Sequence, residues 1–304
     1  MAVAELRVIT GPTAAGKSAI AMALAERYGA AIVSADSRQV YQRFDIGTAK
    51  PSPADRARVP HHGVDIIAPI ERYSAARFAE DAEHWLADDE GAGRAAVVVG
   101  GTGFYLRALF APLFDEPPLD PAARALLQAH LETLTVDELR RWCVMLDPAR
   151  SDLGRTQLVR AIEVALLTGE RLSALQARPR RAPRYRARYL VVDPGPVLRD
   201  RIAARVDAMF ASGWADEVEA LGRDVPEDAP AWNAAGYEVV RRLVRGEISR
   251  MHAREQVIIE TRQYAKRQRT WLRHQLGDAP VTVLDPDAVD AGDIAERWWN
   301  GATE

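Results

Sequence analysis

The 304-residue chain has a single cysteine, Cys143, no apolar run approaching 18 residues, and no excess of positive charge. One cysteine excludes a disulfide framework and a cysteine-based zinc finger. Apolar runs this short predict no membrane-spanning helix. The first residues carry neither the basic segment nor the cleavage site of a secretory signal, so we expect a cytoplasmic protein.

The formal net charge of −3 does not by itself indicate a nucleic-acid partner, because binding to phosphates depends on where basic residues cluster. One arginine-rich cluster lies at 178–188, and a second lies within 262–273. No carboxylate occurs between 261 and 275, which leaves two interpretations of the second cluster open. It is either a solvated helix face or a phosphate-binding surface.

Short apolar runs at 6–10, 31–35 and 95–99 predict buried strands. The segments at 17–28 and 75–89 have helical spacing, and Ser74 is the predicted N-cap of the second. Strands that alternate with helices on this scale are typical of an α/β fold with a parallel sheet.

Only helical patterns occur from 120 to 176; a strand is predicted at 189–192 and a long helix at 250–275. We therefore predict an α/β core formed by 1–117 and 183–304, interrupted by a small all-helical insertion at 118–182.

A P-loop motif follows the first predicted strand and precedes the first predicted helix. In such a loop, backbone N–H groups cradle phosphate oxygens, the lysine neutralises the terminal phosphate, and the last hydroxyl is a candidate Mg²⁺ ligand. The motif predicts a site for a diphosphate or triphosphate without saying which. Its residues are Gly11, Pro12, Thr13, Ala14, Ala15, Gly16, Lys17 and Ser18.

Asp36 ends the second predicted strand, and three roles for it stay open: a Mg²⁺ ligand, a general base, or a turn-capping residue. Asp193 ends a later strand, where the following Pro194 favours a turn role. The glycine-rich turn at 100–103 surrounds Thr102 at the carboxyl end of a strand, where open α/β sheets bind ligands. It suits close approach of a ligand to the backbone, with Thr102 donating a hydrogen bond; the alternative is a tight strand-to-helix turn.

His61 and His62 are adjacent, and no carboxylate or cysteine stands at a convincing ligand spacing from them. We therefore favour a structural, hydrogen-bonding role over metal binding. Most of the tryptophans are predicted core residues, including Trp214 and Trp232.

Seven segments resemble the tRNA dimethylallyltransferase (isopentenyltransferase) family. Their order and spacing match from end to end, so the resemblance covers most of the chain. The P-loop is shared by many families, whereas the third and last segments are far more specific. The segments are GPTAAGKS at 11–18, SADSRQVY at 34–41, DIGTAKP at 45–51, PHHGVDI at 60–66, YSAARF at 73–78, VGGTGFYLRAL at 99–109 and TRQYAKRQRTWLR at 261–273.

The resemblance implies transfer of a dimethylallyl group from dimethylallyl diphosphate to N6 of adenosine 37 of tRNA, next to the anticodon, with release of diphosphate in the presence of Mg²⁺. It implies a P-loop-kinase-like core that holds the diphosphate of the prenyl donor, and an insertion that grips the anticodon stem-loop. We expect the protein to act as a monomer.

The same resemblance assigns candidate roles to individual residues. Asp36 matches a general base, Thr102 matches a residue at the reacting centre, and Lys17 belongs to the diphosphate site. The expected tRNA contacts are Asp36, Ser37, Arg38, Gln39, Thr102, Arg124, Arg160, Arg262, Lys266, Arg267 and Arg269.

Elementary chemistry agrees with these roles. The N6 amine of adenine is a poor nucleophile because its lone pair is delocalised into the ring. A carboxylate that removes its proton assists attack, and cations that stabilise the departing diphosphate make the donor electrophilic. An allylic cation also needs a dry channel, which we expect the apolar strand ends to supply.

Two departures from the family pattern bear on RNA and substrate contacts. Ahead of the RAIE sequence at 160–163, this chain has Leu153, Gly154 and Gln157 where many members carry an Asn-Asp pair and a basic residue. Asn233 stands where the family often has Gln or Arg.

Three other functions remain possible at this stage. A small-molecule kinase shares the P-loop but gives no role to DIGTAKP. Prenyl transfer to a free adenine nucleotide shares the chemistry but needs neither the insertion nor the basic block. An RNA-binding NTPase switch would usually have an aspartate after the strand that ends at Val99, and none is present.

Overall fold

The computed structural model describes residues 4–111, 119–178 and 183–301. The chain divides into two compact units, one formed by Met1–Ala111 with Pro183–Glu304 and the other by Pro112–Ala182. The junctions predicted at 117/118 and 182/183 fall on or beside 112–118 and 179–182, which lie outside the described residues.

The first unit is built on a parallel sheet. Its strands in the described ranges are β1 Ala4–Thr10, β2 Ala31–Ser34, β3 His61–His62, β4 Ala96–Val99, β5 Tyr185–Val192 and β6 Val281–Leu284. They lie in the order β3-β2-β4-β1-β5-β6, and every pairing is parallel. The expected α/β fold is confirmed, and the predicted strands at 6–10, 31–35 and 95–99 are present.

The prediction for β5 was four residues too short. Tyr185, Ala187 and Tyr189 are buried, whereas Arg186 between them is exposed. This alternation is typical of a half-buried strand, but it was hidden within the arginine-rich cluster. The strands β3 and β6 were not predicted, since two and four residues are too few to establish a pattern.

Thirteen α-helices accompany the strands in the described ranges, and none of them is long and apolar enough to cross a membrane. Three short 3-10 helices lie at Pro148–Arg150, Gly195–Val197 and Pro230–Asn233. The α-helices are α1 Lys17–Tyr28, α2 Pro53–Arg58, α3 Ala75–Gly91, α4 Gly103–Phe110, α5 Pro121–Thr133, α6 Val136–Leu146, α7 Arg155–Thr168, α8 Leu172–Ala177, α9 Leu198–Ala211, α10 Trp214–Leu221, α11 Tyr237–Val244, α12 Arg250–Gln275 and α13 Ala291–Asn300.

The predicted helices at 17–28, 75–89 and 250–275 are confirmed. The Oγ atom of Ser74 accepts a hydrogen bond from the backbone N–H of Arg77 at 3.1 Å, as expected of an N-cap that satisfies a free amide of the first turn. Ser249 caps α12 in the same way, through the N–H of His252 at 3.2 Å.

The strand register brings the chemically interesting loops to one edge of the sheet. Ile9 and Ser34 both pair with Val99, and Thr10 pairs with Val191. Because the strands are parallel and end at the same level, the segments that follow β1, β2, β4 and β5 leave at the same edge. This edge therefore carries the P-loop, Asp36, the turn at 100–103 and Asp193.

The second unit contains helices and no strand among residues 119–178, as predicted from its sequence pattern. Its core is a separate cluster in which Leu131, Leu139, Cys143, Leu158 and Ile162 are fully buried. The thiol of Cys143 is one of these core groups, and burial raises its pKa.

Candidate active site

The P-loop connects β1 to α1, as its motif requires. Gly16 adopts a left-handed conformation with φ of 99° and precedes the first helical residue, Lys17. The Nζ atom of Lys17 donates hydrogen bonds to the carbonyls of Gly11 at 3.0 Å and Pro12 at 2.8 Å. Burial of its ammonium lowers the pKa of Lys17 to about 8; nearby Arg205 lowers it further, and Asp36 opposes the shift.

Asp36 has the turn-capping role, one of the three that the sequence left open, and the other two stay predictions. Its Oδ1 atom accepts a hydrogen bond from the N–H of Arg38 at 2.8 Å, which makes it a turn-capping residue. Its Oδ2 atom accepts no hydrogen bond from any described residue, and Asp36 lines a cavity of the first unit. One carboxylate oxygen is thus held in place while the other stays available to a ligand.

Thr102 is positioned beside Asp36 by a contact with the next residue. The N–H of Ser37 donates to the Oγ1 atom of Thr102 at 3.1 Å, and this hydroxyl donates to the Oγ atom of Ser37 at 3.5 Å; its predicted hydrogen bond to a ligand stays a prediction. Tyr264, on α12, lies close enough to Thr102 and Asp36 for both to affect its pKa. Burial and the charge of Asp36 raise the pKa of Tyr264 to about 12, which keeps this phenol neutral.

The glycines of the 100–103 turn are needed for packing within the protein, and close approach of a ligand to this backbone stays a prediction. A Cβ atom on Gly100 would lie 2.2 Å from the carbonyl oxygen of Ala35. One on Gly101 would lie 2.2 Å from Nε2 of Gln268. The tight turn that was the alternative interpretation is therefore present, and it lets β2, β4 and α12 approach closely.

This cavity of the first unit has a volume of about 320 Å³, within the range of small-molecule sites. Its lining comes from the P-loop, from the loops at 36–38 and 47–48, from the segment 233–235, and from helices α9, α10 and α12. The lining residues are Thr13, Asp36, Arg38, Gly47, Thr48, Arg205, Val206, Met209, Trp214, Asn233, Ala234, Ala235, Val257, Glu260, Thr261, Gln263, Tyr264 and Arg267.

Cations outnumber anions in this lining. Arg38, Arg205 and Arg267 face Asp36 and Glu260. Arg205 forms no hydrogen bond or ion pair with the described residues, although the charge of Asp36 is close enough to raise its pKa against the stronger lowering by burial. A poorly hydrated guanidinium with free N–H groups is suited to binding a phosphate group.

The apolar part of the cavity comes from helices. Val206 and Met209 belong to α9, Trp214 begins α10, and Val257 lies on α12, with Ala234 beside them. The dry wall was predicted to come from strand ends, and this was wrong. The strand ends supply the polar groups instead, because the parallel register directs their loops toward the P-loop.

The DIGTAKP segment forms a rigid frame for the cavity. Lys50 is 3% exposed; its Nζ donates to the carboxylates of Asp45 at 2.6 Å and Asp65 at 2.5 Å. The side-chain amide of Gln39 donates to the carbonyls of Thr48 at 3.3 Å and Ala49 at 3.0 Å. Gln39, an expected tRNA contact, thus holds this turn, and its role toward RNA stays a prediction.

The basic block on α12 contains two kinds of side chain. Arg262, Lys266 and Arg267 are exposed. Arg269 is instead partly buried, and it forms a two-pronged ion pair with Asp193 and donates to the carbonyl of Gly195 at 2.7 Å. Asp193 also accepts from the N–H of Gly195 at 3.0 Å, as its predicted turn role requires. Arg269 therefore has a structural role, which leaves three of the four expected cations exposed.

Arg124 and Arg160, the expected tRNA contacts of the second unit, lie on α5 and α7. Both bind the Oε2 atom of Glu163, at 3.3 Å and 2.9 Å respectively. Glu163 is 1% exposed, whereas about a third of each arginine side chain reaches the surface. One carboxylate thus serves two guanidinium groups.

The positions that depart from the family pattern have defined places. Asn233 lines the cavity. At the start of α7, the side chain of Gln157 accepts a hydrogen bond from the N–H of Gly154 at 3.3 Å. Gln157 is therefore used in capping its own helix.

The paired histidines bond within the protein. His61 Nδ1 lies 2.8 Å from the carbonyl of Val59, and His62 Nε2 lies 3.0 Å from the buried carboxylate of Asp89. The His62 ring also stacks on Trp85. In the described ranges, no three or more His, Cys, Asp and Glu side chains gather in a group that could hold a metal ion.

Sequence reasoning missed Arg205, Tyr264 and Gln268. Tyr264 and Gln268 lie within the specific basic block, and their uncharged side chains on a helix otherwise rich in cations were the available signal. Arg205 had no such signal, because α9 alternates arginine with aspartate and resembles an ordinary solvated helix.

Comparison with known proteins supports a single assignment. The family model for IPP transferase matches residues 39–275, and a model for isopentenyl transferase matches residues 4–59. A tRNA dimethylallyltransferase from Anaeromyxobacter sp. is 44% identical, with 98% of this chain and 99% of that protein covered.

Solved structures agree. The full-length tRNA isopentenylpyrophosphate transferase from Bacillus halodurans is 31% identical, with a TM-score of 0.69 and 98% and 95% of the two chains covered. A eukaryotic dimethylallyltransferase acting on tRNA has the same fold, with a TM-score of 0.81 at 24% identity over 99% of this chain and 80% of that one. The P-loop, the Asp36 loop and the basic block thus occur together in a chain that belongs to the IPP transferase family.

Proposed function

We propose that this protein transfers the dimethylallyl group of dimethylallyl diphosphate to N6 of adenosine 37 in tRNA. The observation that carries the proposal is one cavity bordered by a P-loop, a carboxylate with a free oxygen, an unpaired arginine and an apolar wall. Each of these features has a separate task in the reaction.

In the transfer step, the bond between C1 of the dimethylallyl group and the diphosphate oxygen breaks while the bond from N6 to C1 forms. Asp36 accepts the N6 proton through Oδ2, while Oδ1 stays bonded to the N–H of Arg38. Lys17, the P-loop amides and Arg205 stabilise the charge on the departing diphosphate. Val206, Met209 and Trp214 exclude water from the allylic carbons.

The donor set is suited to Mg²⁺. Ser18 is exposed at the start of α1, where its hydroxyl would be one ligand, and diphosphate oxygens and water would supply the others. When bound, the ion would add positive charge to the diphosphate leaving group.

The RNA partner is supported by two sets of side chains. Arg262, Lys266 and Arg267 are exposed on α12, and Arg267 also lines the cavity. In the second unit, Arg124 and Arg160 share the carboxylate of Glu163, and about a third of each arginine side chain is exposed. Unstacked bases of an anticodon loop enter an active site at low cost, because they are not held in a duplex.

The test is transfer of labelled dimethylallyl from its diphosphate to unmodified tRNA with an adenosine-rich anticodon loop. A parallel reaction with AMP and omission of Mg²⁺ serve as controls. Label in tRNA alone supports the proposal. Label in AMP would indicate a free-nucleotide acceptor, and no label in either would favour a kinase.

A further inference from the structure

Gln268 connects the two loops that carry the chemistry. It lies on α12 and is 7% exposed. Its Oε1 atom accepts a hydrogen bond from the backbone N–H of Thr13, in the P-loop, at 2.8 Å. Its Nε2 atom donates to the backbone carbonyl of Gly101, in the turn that carries Thr102, at 3.0 Å. One side-chain amide therefore joins the diphosphate loop to the turn beside Asp36.

The surrounding backbone is packed around this amide. A Cβ atom on Gly101 would lie 2.2 Å from Nε2 of Gln268 and 3.0 Å from the carbonyl oxygen of Gly11. Gly101 thus lies between the P-loop and Gln268 with no room for a side chain. The close approach fixes the spacing of three chain segments that are far apart in sequence.

The chemistry at this position requires a carboxamide. The group must accept from one backbone N–H and donate to one backbone carbonyl at the same time. A carboxylate of the same shape retains the first bond but places an acceptor against the carbonyl of Gly101, leaving two acceptors in contact in a buried site.

We propose that Gln268 is a positioning residue for the transfer reaction. It holds the P-loop at a set distance from the turn that places Thr102 and Asp36, so the diphosphate of the donor and the acceptor amine meet in reactive geometry. Gln268 touches neither substrate. This inference rests on the proposed function for its kinetic part, whereas its effect on diphosphate binding does not depend on the acceptor.

Because misplacement of about 1 Å lowers a rate by roughly 100-fold, we expect Gln268→Glu to reduce the single-turnover transfer rate by about that factor at saturating substrates. We expect its Kd for tRNA to stay within about threefold of the wild-type value, since the exposed cations are unchanged. Gln256→Glu is the matched control, because Gln256 lies on the same helix and contacts Arg242 far from both loops.

Two measurements separate positioning from general damage. The first is calorimetric binding of inorganic diphosphate with Mg²⁺, which we expect to weaken about tenfold in Gln268→Glu and Gln268→Ala and to stay unchanged in Gln256→Glu. The second is hydrogen exchange of the Thr13 amide, which we expect to accelerate in Gln268→Ala while the strand amides stay protected. Thermal unfolding of each variant reports whether the fold is retained.

A cycle with Gly101→Ala extends the test to a variant that changes the loop instead of the helix. Gly101→Ala pushes Gln268 away, so the double variant Gly101→Ala with Gln268→Ala should bind diphosphate no more weakly than the worse single variant. Wild-type diphosphate affinity and Thr13 exchange in folded Gln268→Ala would overturn the proposal. Failure of the wild-type protein to modify tRNA would instead overturn the proposed function and leave the binding and exchange results standing.

Discussion

Arginines lie near a carboxylate in both units, but the pairing differs. In the first unit, Arg205 is close enough to Asp36 to feel its charge, yet it forms no hydrogen bond or ion pair with the described residues. In the second unit, Arg124 and Arg160 both bind the buried Glu163. The cavity thus keeps Arg205 available to a ligand, whereas Arg124 and Arg160 are already bonded to a carboxylate of their own unit.

The difference has a physical basis. Hydrogen bonds to a charged group are stronger than neutral ones, and removing one partner of a buried set leaves the other desolvated. Ion pairs that already exist within the second unit stabilise it but leave less interaction energy for a ligand. Charged side chains without partners lower the stability of the first unit, and their interaction energy remains available for binding substrate. Four predictions test this contrast, in order of decreasing effect.

The largest effect is expected at Asp36. Asp36→Ala should lower the single-turnover transfer rate by roughly 10²–10⁴-fold, the usual scale for a general base, with tRNA affinity nearly unchanged. Asp36→Asn keeps an oxygen for the N–H of Arg38 and should be as slow as Asp36→Ala. A rate within a few-fold of wild type in either variant would exclude the base role.

Arg205→Met should weaken binding of dimethylallyl diphosphate by about 1.5–3 kcal/mol, roughly 10- to 150-fold in Kd, because a charge-assisted contact is lost. Since no ion pair is broken among the described residues, the thermal stability should not fall. The control is Arg199→Met, which removes an exposed arginine of the same helix. Equal donor affinity in the two variants would contradict the role of Arg205 at the diphosphate.

Glu163→Ala should have the opposite profile, destabilising the second unit by about 1–3 kcal/mol because two arginines lose their partner. Hydrogen exchange of amides in α5 and α7 would measure this, with exposed Glu132→Ala as the control. Donor affinity should be unchanged. Unaltered exchange would mean that the Glu163 cluster does not order this unit.

The smallest effect is expected at Lys266. Its exposed ammonium should contribute one phosphate contact, so Lys266→Ala should weaken tRNA binding only a few-fold and reduce the slope of log Kd against log salt by roughly 0.7. Arg223→Ala, which removes an exposed cation elsewhere on the first unit, is the control. An unchanged slope would place Lys266 outside the RNA interface.

Sequence analysis anticipated the groups that border the cavity more accurately than their contacts. The P-loop, Asp36 and the turn at 100–103 were predictable because each follows an apolar strand, and parallel strands bring such loops together. The partner of Arg269 was not predictable, because Asp193 follows β5 and is distant from Arg269 in sequence. Its carboxylate compensates positive charge on a helix that has no carboxylate of its own between 261 and 275. Arg205 was missed for the same reason: its importance arises from packing across the first unit and leaves no local pattern.

The pairing of β1 has a consequence for synthesis of the chain. Thr10, which leads into the P-loop, pairs with Val191, and the whole helical insertion is encoded between these residues. During synthesis, the P-loop therefore leaves the ribosome before β5 does, and Gln268 leaves after both. Parallel pairings of this span form slowly. The insertion has local contacts, so it can fold on the ribosome while the first unit is still incomplete. Premature termination before α12 should yield chains with a folded insertion and an unfinished donor site, which would be exposed to proteolysis.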